Sequence, residues 1–341
     1  MTGLLAVGAS LALDMPIRDP EGFLGPSWLR LPLLCLGAFL GDVVPRSLWR
    51  SRGAPHRFVG ESRKIIKEHW TRDRIKLVVI GLVSFYVTYV SYRNLKNFLP
   101  FIREVRYDTM LREWDLALFF DTYPATALHS VLGEGIAAHI LSFVYLIFLP
   151  FVPLSLTAWL VWSRNISFGY WYVTAQCLCW ALGTASYYAI PSLGPAFASV
   201  WLVEGLDTTG VTSLQKSLYY GRLEALGNNP FTESVQSVAG FASLHVAVTL
   251  CAALVAHYTV RHAWIRWSLW TFFAATTVAT IYFGWHYLAD DIAGAAIAAV
   301  SVWLGGLATG QKFDKRGRAS HPTTSTADVP VEQGEPHLDR T

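Results

Sequence analysis

The sequence predicts an all-α integral membrane protein, built as a six-helix transmembrane bundle with an additional N-terminal hydrophobic segment. Of its 341 residues, 53% are hydrophobic and only 15% are charged, whereas a soluble domain carries about 25% charged residues. Apolar stretches long enough to cross a bilayer recur along the chain. The 14 Trp and 15 Tyr residues fit aromatic belts at two membrane interfaces.

Six apolar stretches account for the predicted bundle. Each can cross about 30 Å of hydrocarbon as a helix, and each must be helical because lipid offers no partner to backbone polar groups. A seventh stretch, residues 29–44, is shorter and contains Asp42, so it could span the membrane, lie at its interface or re-enter it. The six predicted spans are 75–93, 136–162, 170–190, 241–260, 266–285 and 287–309.

The distribution of charge predicts how the bundle is oriented. Residues 46–76 contain ten Lys or Arg against three acids, and the short connectors at 164 and 261–266 are also basic. The long loops 94–135 and 191–240 are slightly acidic and fall on the opposite face. By the positive-inside rule, the sequence predicts a multi-pass protein of the cell membrane whose two long loops face the extracytoplasmic side.

The chain divides into three predicted regions. Residues 1–74 hold the N-terminal hydrophobic segment and a basic cytoplasmic loop, and residues 75–311 form the six-helix membrane domain. Residues 312–341 form a cytoplasmic tail, rich in Ser, Thr, Pro and acids, that we expect to be disordered. The net charge of +3 is too small to indicate a nucleic-acid partner, and membrane lipids are the expected surroundings.

Two histidines and an aspartate form the candidate site at the outer face. His245 begins the span 241–260, and His286 lies between the spans 266–285 and 287–309. Ionisable groups near lipid are costly and usually functional. Asp290, four residues after His286, shares its helix face and can orient the imidazole so that its other nitrogen acts as a nucleophile. His245 would then protonate a leaving oxygen.

Structural interpretations of the same residues stay open at this point. His286 and Asp290 could be a satisfied pair at a helix end, and His245 could be a polar residue of the interfacial belt. Asp291 points about 100° away from Asp290 on a helix, so we assign it to capping or packing. Two His and one Asp also suit zinc, but no further ligand stands at a recognisable spacing, and we predict neither a metal nor a cofactor.

A phosphate at this site would need cations and N–H donors. The loop 191–240 contains Lys216 and Arg222 as its basic residues, and Arg222 is the stronger candidate because a guanidinium matches two phosphate oxygens. Either could instead be a solvated loop charge. The stiff turn Pro191-Ser192-Leu193-Gly194-Pro195 could offer its backbone N–H groups, that of Gly194 included, or could simply end a helix.

These residues resemble the type 2 phosphatidic acid phosphatase superfamily, and within it the inositolphosphotransferase branch that includes inositolphosphorylceramide synthases. Ala242-Ser243-Leu244-His245 is similar to the second family motif, Pro-Ser-Gly-His. The stretch from Thr280 through His286 to Asp290 is similar to the third, Ser-Arg-x5-His-x3-Asp. The resemblance implies that His286 becomes a phosphohistidine, that Asp290 orients it, that His245 protonates the leaving group and that Ser243 helps to hold phosphate.

The sequence departs from the family pattern at two places. The Ser-Arg of the third motif is Ala279-Thr280 here, and no Lys-x6-Arg-Pro string precedes the second motif. Residues 191–195 resemble the Gly-Pro element of the phosphotransferase branch instead, and Thr in place of Arg is also similar to that branch.

The resemblance implies a lipid phosphatase or phosphotransferase that acts on a lipid or polyprenyl phosphate at the outer leaflet. Water would complete a phosphatase reaction, and an alcohol acceptor such as inositol would complete a transferase reaction. The alternative from another class is a non-catalytic protein that binds or transports lipid phosphates.

Overall fold

The computed structural model describes residues 1–20, 26–227, 238–313 and 319–322. A short 3-10 turn, Val200–Val203, follows the ninth helix, and a π-helical turn, Thr157–Trp162, continues the seventh. The helices are α1 (Thr2–Leu13), α2 (Ser27–Ser51), α3 (Pro55–His69), α4 (Arg72–Ile102), α5 (Asp108–Leu118), α6 (Pro124–Leu132), α7 (Ile136–Leu156), α8 (Ile166–Ala189), α9 (Pro195–Ala198), α10 (Gly210–Gly227), α11 (Leu244–Thr259), α12 (Ala263–Tyr282) and α13 (Leu288–Ala308).

Every predicted span overlaps a helix, and the boundaries differ by one to three residues where a span extends past its helix. Among the described residues, 4 helices are long and apolar enough to cross a membrane: α2, α4, α7 with its π-helical continuation, and α13. The uncertain stretch 29–44 therefore belongs to one of them, the 25-residue α2. Helices α8, α11 and α12 overlap the other predicted spans, but none of the three is both long and apolar enough to be counted with these four. The six-helix count therefore stays a prediction.

Helix α11 lies at the centre of the bundle, where it packs against α8, α12 and α13. Small residues make this close packing possible: Ala247 and Ala252 are fully buried. Gly294 of α13 lies so close to the Ser243 carbonyl that a Cβ there would collide with it. The N-termini of α11 and α13 consequently meet, and the Ser243 N–H donates to the Asp290 carbonyl at 2.9 Å.

The basic segment and the two long loops occupy opposite ends of α4. Helix α3 packs against α2, with the hydroxyls of Ser62 and Ser47 2.9 Å apart, and exposes most of its basic side chains. Helix α4 begins beside it and runs for 31 residues, which corresponds to about 45 Å. At its far end the predicted loops contain the short helices α5, α6, α9 and α10, and the Tyr107 N–H donates to the Pro191 carbonyl at 2.8 Å.

The C-terminal end of the described chain is a short antiparallel pair of strands, β1 (Gln311–Phe313) and β2 (Ala319–Pro322). Strand β2 falls inside the tail that the sequence predicts to be disordered. The rest of that tail, residues 314–318 and 323–341, lies outside the described residues, as do residues 228–237 of the second long loop. The division into regions 1–74, 75–311 and 312–341 stays a prediction.

Candidate active site

The fold brings His245 and His286 together although 41 residues separate them in the sequence. Their ring centroids lie 5.9 Å apart, with the ring planes inclined by 57°. His245 is the second residue of α11, and His286 lies in the turn just before α13. Both helices direct their N-termini, where backbone N–H groups and the helix dipole favour anions, toward this point.

Two buried carboxylates act on His286. The Asp290 Oδ2 lies 3.4 Å from the His286 Nδ1, as the spacing of four residues predicts. Asp291, which the sequence assigns to capping or packing, accepts a hydrogen bond from the Thr280 hydroxyl at 2.9 Å, and its negative charge also reaches His286. Asp290 therefore contacts the imidazole directly, and Asp291 acts on it through its charge.

Several polar atoms at this point are buried without a hydrogen-bond partner among the described residues: Nδ1 of His286, Oδ1 of Asp290 and Oδ1 of Asp291. Burial lowers the pKa of His286 to about 4; the carboxylate of Asp291 opposes that shift, and the positive charge of Lys96 adds to it. The imidazole is consequently neutral near pH 7 and keeps a lone pair for chemistry.

The turn that carries His286 is held by carboxylates at the N-terminus of α13. The Asp290 Oδ2 accepts the Tyr287 N–H at 2.9 Å, which is half of a capping box. Asp115 of α5 accepts the Leu288 N–H at 3.1 Å and is only 3% exposed. Burial raises the pKa of Asp115 to about 7, against the effect of the Leu288 hydrogen bond.

The turn at residues 191–195 is fixed by Asp108, on the same face of α5 as Asp115. The Asp108 Oδ1 accepts the N–H groups of Leu193 at 2.8 Å and Gly194 at 3.0 Å. Gly194 has φ 91°, and a Cβ on it would collide with the Trp285 carbonyl, so only glycine fits. The Gly194 N–H considered for phosphate therefore donates to a carboxylate of the protein itself.

Aromatic side chains pack around His245, the candidate general acid. Tyr145 of α7 stacks on His245 with ring centroids 4.5 Å apart and on Trp285 at 5.3 Å. Phe148 lies 4.3 Å from His245 on another side. These contacts fix the ring orientation of His245 while leaving it partly exposed.

The two cations predicted from the second long loop, Arg222 and Lys216, differ in burial. Arg222 is half-buried; burial lowers its pKa, and Arg106 contributes in the same direction while Asp108 opposes it. Arg222 thus lies near the carboxylate that holds the Gly194 turn. Lys216 is exposed, next to the buried Gln215 that donates to the Phe283 carbonyl at 2.7 Å, and its link to the site stays a prediction.

Ser243 is fully buried and its hydroxyl accepts the Val246 N–H at 3.4 Å as the N-cap of α11.

Lys96, Asp108 and Asp115 were not predicted from the sequence. The predicted span ended at residue 93, whereas α4 continues to Ile102 and carries Lys96 toward the histidines. Its spacing to Arg103 is a signal that could have identified it, because the two residues match the Lys and Arg of the Lys-x6-Arg-Pro motif, with Glu104 in place of Pro. The seven-residue spacing of Asp108 and Asp115, two turns of one helix, is the corresponding signal in α5.

Comparisons with known proteins identify the family. Among the described residues no group of three or more His, Cys, Asp or Glu is arranged to hold a metal ion. No curated protein and no solved structure gives a significant match. Residues 109–304, more than half of the chain, match the model of the PAP2 superfamily, which confirms the predicted superfamily. The matched stretch includes both histidines and Asp290, and the chain belongs to the PAP2 superfamily of phosphatase- and phosphotransferase-type enzymes.

Proposed function

We propose that this protein is a membrane-embedded enzyme that removes or transfers the phosphoryl group of a lipid or polyprenyl phosphate through a phosphohistidine. The observation that carries the proposal is the 5.9 Å separation of the His245 and His286 rings. This spacing lets one phosphate contact both rings, with reacting atoms about 3–3.5 Å apart.

His286 is the proposed nucleophile. Its Nδ1 faces Asp290, so its Nε2 would carry the lone pair that attacks phosphorus. As the N–P bond forms, the bond between phosphorus and the lipid oxygen breaks, and that oxygen takes a proton from His245. Water or an alcohol then attacks the phosphohistidine; the N–P bond breaks, and His245 takes the proton of the attacking hydroxyl.

The remaining proposed contacts hold the phosphate. Arg222 would supply a guanidinium fork from the half-buried end of α10, and the N-terminus of α11, with Ser243 as its first donor, would face the phosphate oxygens. Gly194 would contribute the tight turn beside His286. Its N–H would donate to phosphate only after it releases the carboxylate of Asp108. Lys216 would attract substrate from the exposed face of the same helix.

The proposed location is the cell membrane, with the site at the extracytoplasmic side and the C-terminal tail in the cytoplasm. The support comes from α4, which separates the exposed basic side chains of α3 from Lys96 near the histidines by about 36 Å. Because basic segments are retained in the cytoplasm, the site end of the bundle would face the outer leaflet, where a lipid could enter laterally.

The test measures phosphate release from a panel of lipid and polyprenyl phosphates by purified wild type, with and without chelator and with and without inositol. His286→Ala should abolish both turnover and acid-labile labelling of the protein by a radioactive phosphate ester. His257→Ala is the matched control, because His257 is an exposed histidine near the other end of α11, and it should behave as wild type.

The outcomes separate the possible functions. Release by wild type without acceptor, unchanged by chelator, identifies a phosphatase; turnover only with an alcohol identifies a transferase of the inositolphosphotransferase type. Binding of a lipid phosphate without turnover under any condition would overturn the proposal in favour of the non-catalytic binding protein.

A second variant tests His245 as the acid. His245→Ala should slow the release of an alkyl lipid by about 10²- to 10⁴-fold, the usual contribution of a general acid, and should slow an aryl phosphate much less because its leaving group needs no proton. Equal losses with both substrates would contradict the assignment.

A further inference from the structure

We propose that one side of α3 binds the anionic headgroups of membrane lipids at the basic end of the bundle. This side consists of Val59, Arg63, Ile66 and Lys67, and we call it the α3 stripe. Its residues follow one another at intervals of four, three and one, so they lie along one side of the helix. The inference does not depend on the proposed reaction, because the histidines lie at the other end of the bundle.

A different side of α3 holds the helix against α2. Ile65 and His69 are 2% and 6% exposed, and the hydroxyl of Ser62 lies 2.9 Å from that of Ser47 in α2. On a helix the α3 stripe is turned from these residues by about 110°. The stripe is consequently left open, and its two apolar side chains are 56% and 37% exposed.

The positive charge of the α3 stripe is not compensated by the acids of the same helix. Glu61 binds Lys64 at 2.9 Å, and Glu68 binds Arg50 of α2 at 3.1 Å; both acids lie more than about 130° from the centre of the stripe. Both basic residues of the stripe are exposed. Within the part of the chain that the structure describes, neither forms an ion pair. They are therefore available to an anion from outside the protein.

The neighbours of α3 place the stripe near a membrane. Helices α2 and α4, which precede and follow α3, are both long and apolar enough to cross a bilayer. Where α3 ends, the indole of Trp70 donates to Asp42 of α2 at 2.9 Å, so Lys67 lies within one turn of the bundle. Trp49, near the end of α2, is 86% exposed, and exposed indoles beside basic residues are typical of the membrane interface.

The composition of the α3 stripe favours lipid over an acidic protein as its partner. A stable protein interface buries about 800 Å² per partner, far more than four side chains offer. A bilayer needs no such area, because each basic residue near anionic lipid strengthens binding about fivefold, the equivalent of about 1 kcal/mol. Apolar side chains set between basic ones, as here, are typical of helices that lie at the headgroups.

The experiment measures contact between α3 and lipid headgroups in the full-length protein. Gly60→Cys carries a fluorophore, since Gly60 is exposed, lies two turns before Lys67 and would place a Cβ with no atom within 4 Å. The exposed Cys35 is changed by Cys35→Ser to prevent labelling there. The protein is reconstituted in bilayer nanodiscs of phosphatidylcholine with or without phosphatidylglycerol, and a lipid with a nitroxide on its headgroup quenches the fluorophore on contact.

Two double variants, each of which removes two positive charges from α3, are compared with the unchanged helix. Arg63→Gln with Lys67→Gln acts on the stripe. Arg57→Gln with Lys64→Gln is the matched control, because both residues lie on the side of Glu61. Arg63→Lys with Lys67→Arg keeps the charges of the stripe.

We expect strong quenching of the unchanged helix in membranes with phosphatidylglycerol, weak quenching in phosphatidylcholine alone, and a decrease in both when salt is added. Removal of the two stripe charges should lower the ratio of contacting to free helix about 30-fold, from about fivefold for each residue. The matched control and the charge-keeping variant should be quenched like the unchanged helix. Thermal unfolding curves report whether each variant is folded.

Equal quenching with and without phosphatidylglycerol would overturn the proposal, because contact would not depend on lipid charge. Equal losses in the two charge-removing variants would also overturn it, since the net charge of α3 rather than the stripe would then determine contact. A loss shared by the charge-keeping variant would indicate a packing role and reject the proposal. The absence of quenching in either membrane would reject it as well.

Discussion

The bundle buries carboxylates at both of its ends, and the carboxylates at the two ends have different partners. At the basic end, Asp42 of α2 is 2% exposed, lies 2.8 Å from the Arg46 guanidinium and accepts the Trp70 indole N–H at 2.9 Å. At the site end, Asp290 and Asp291 are equally buried, but their contacts are His286, a backbone N–H and a hydroxyl.

The difference indicates what each cluster does. A buried carboxylate beside an arginine of its own helix is compensated in place, and the Trp70 indole at the end of α3 that donates to it helps to fix how α2 and α3 meet. The carboxylates at the site end have a histidine, a backbone N–H and a hydroxyl as partners instead of an arginine, so they retain the capacity to change partners during a reaction. Substitutions at the two ends should therefore separate activity from stability.

The largest expected effect is that of Asp290→Asn on activity. Asn keeps an oxygen that can accept the Tyr287 N–H, so the helix cap survives, but it loses the charge that orients and stabilises the His286 ring. We expect kcat to fall by about 10²- to 10⁴-fold, as for other catalytic histidines that lose their aspartate, with little change in expression. Asp291→Asn, measured in the same assay, should cost less because Asp291 acts by charge alone. Unfolding of Asp290→Asn, or a larger loss with Asp291→Asn, would make Asp290 a structural residue.

The next effect is expected at the basic end and concerns stability. Asp42→Asn removes the charge opposite Arg46 and should lower the free energy of unfolding by about 3 kcal/mol, since breaking a buried pair leaves its partner uncompensated. The kcat of the folded fraction should not change. Thermal unfolding in detergent and kcat per active molecule measure the two quantities.

A matched pair on the same surface calibrates that result. Arg50 and Glu68 lie 3.1 Å apart with side chains 44% and 60% exposed, so Glu68→Gln should change stability by less than about 1 kcal/mol. Similar losses for Asp42→Asn and Glu68→Gln would contradict the distinction between a buried pair and an exposed one.

The sequence predicted the parts of the site that short-range spacing determines. Asp290 follows His286 by four residues, and the sequence placed both on one helix face; in the structure His286 lies in the turn just before α13, and the two side chains still approach to 3.4 Å. His245 and His286 were expected at one depth because charge and apolar length gave both the same end of the bundle. Their 5.9 Å approach depends on the packing of α11 against α13, where Gly294 lies on Ser243.

What the sequence did not predict comes from α4 and α5. The polar residues at 93–97 ended the predicted span, but α4 continues to Ile102, and its residues Leu95 and Lys96 contact Tyr188 and Tyr187 of α8. In α5 the sequence did not identify Asp108 and Asp115 as site residues, because they find their donors in the turn at 193–194 and at Leu288. Contacts between residues so distant in sequence leave no periodic signal.

The smallest expected effect is the pH dependence of stability that Asp115 causes. The raised pKa of Asp115, about 7 in the folded protein against an ordinary value of 3.8, means that its contribution to stability is fully present below about pH 3.8 and is lost as the pH rises through 7. Asp115→Asn keeps an acceptor for the Leu288 N–H and removes this titration. Its free energy of unfolding should therefore rise relative to wild type between pH 5 and pH 8, by on the order of 1 kcal/mol once solvent screening is allowed for. A pH-independent difference between Asp115→Asn and wild type would mean that Asp115 is ionised without cost, and that α5 holds the α13 N-terminus by charge.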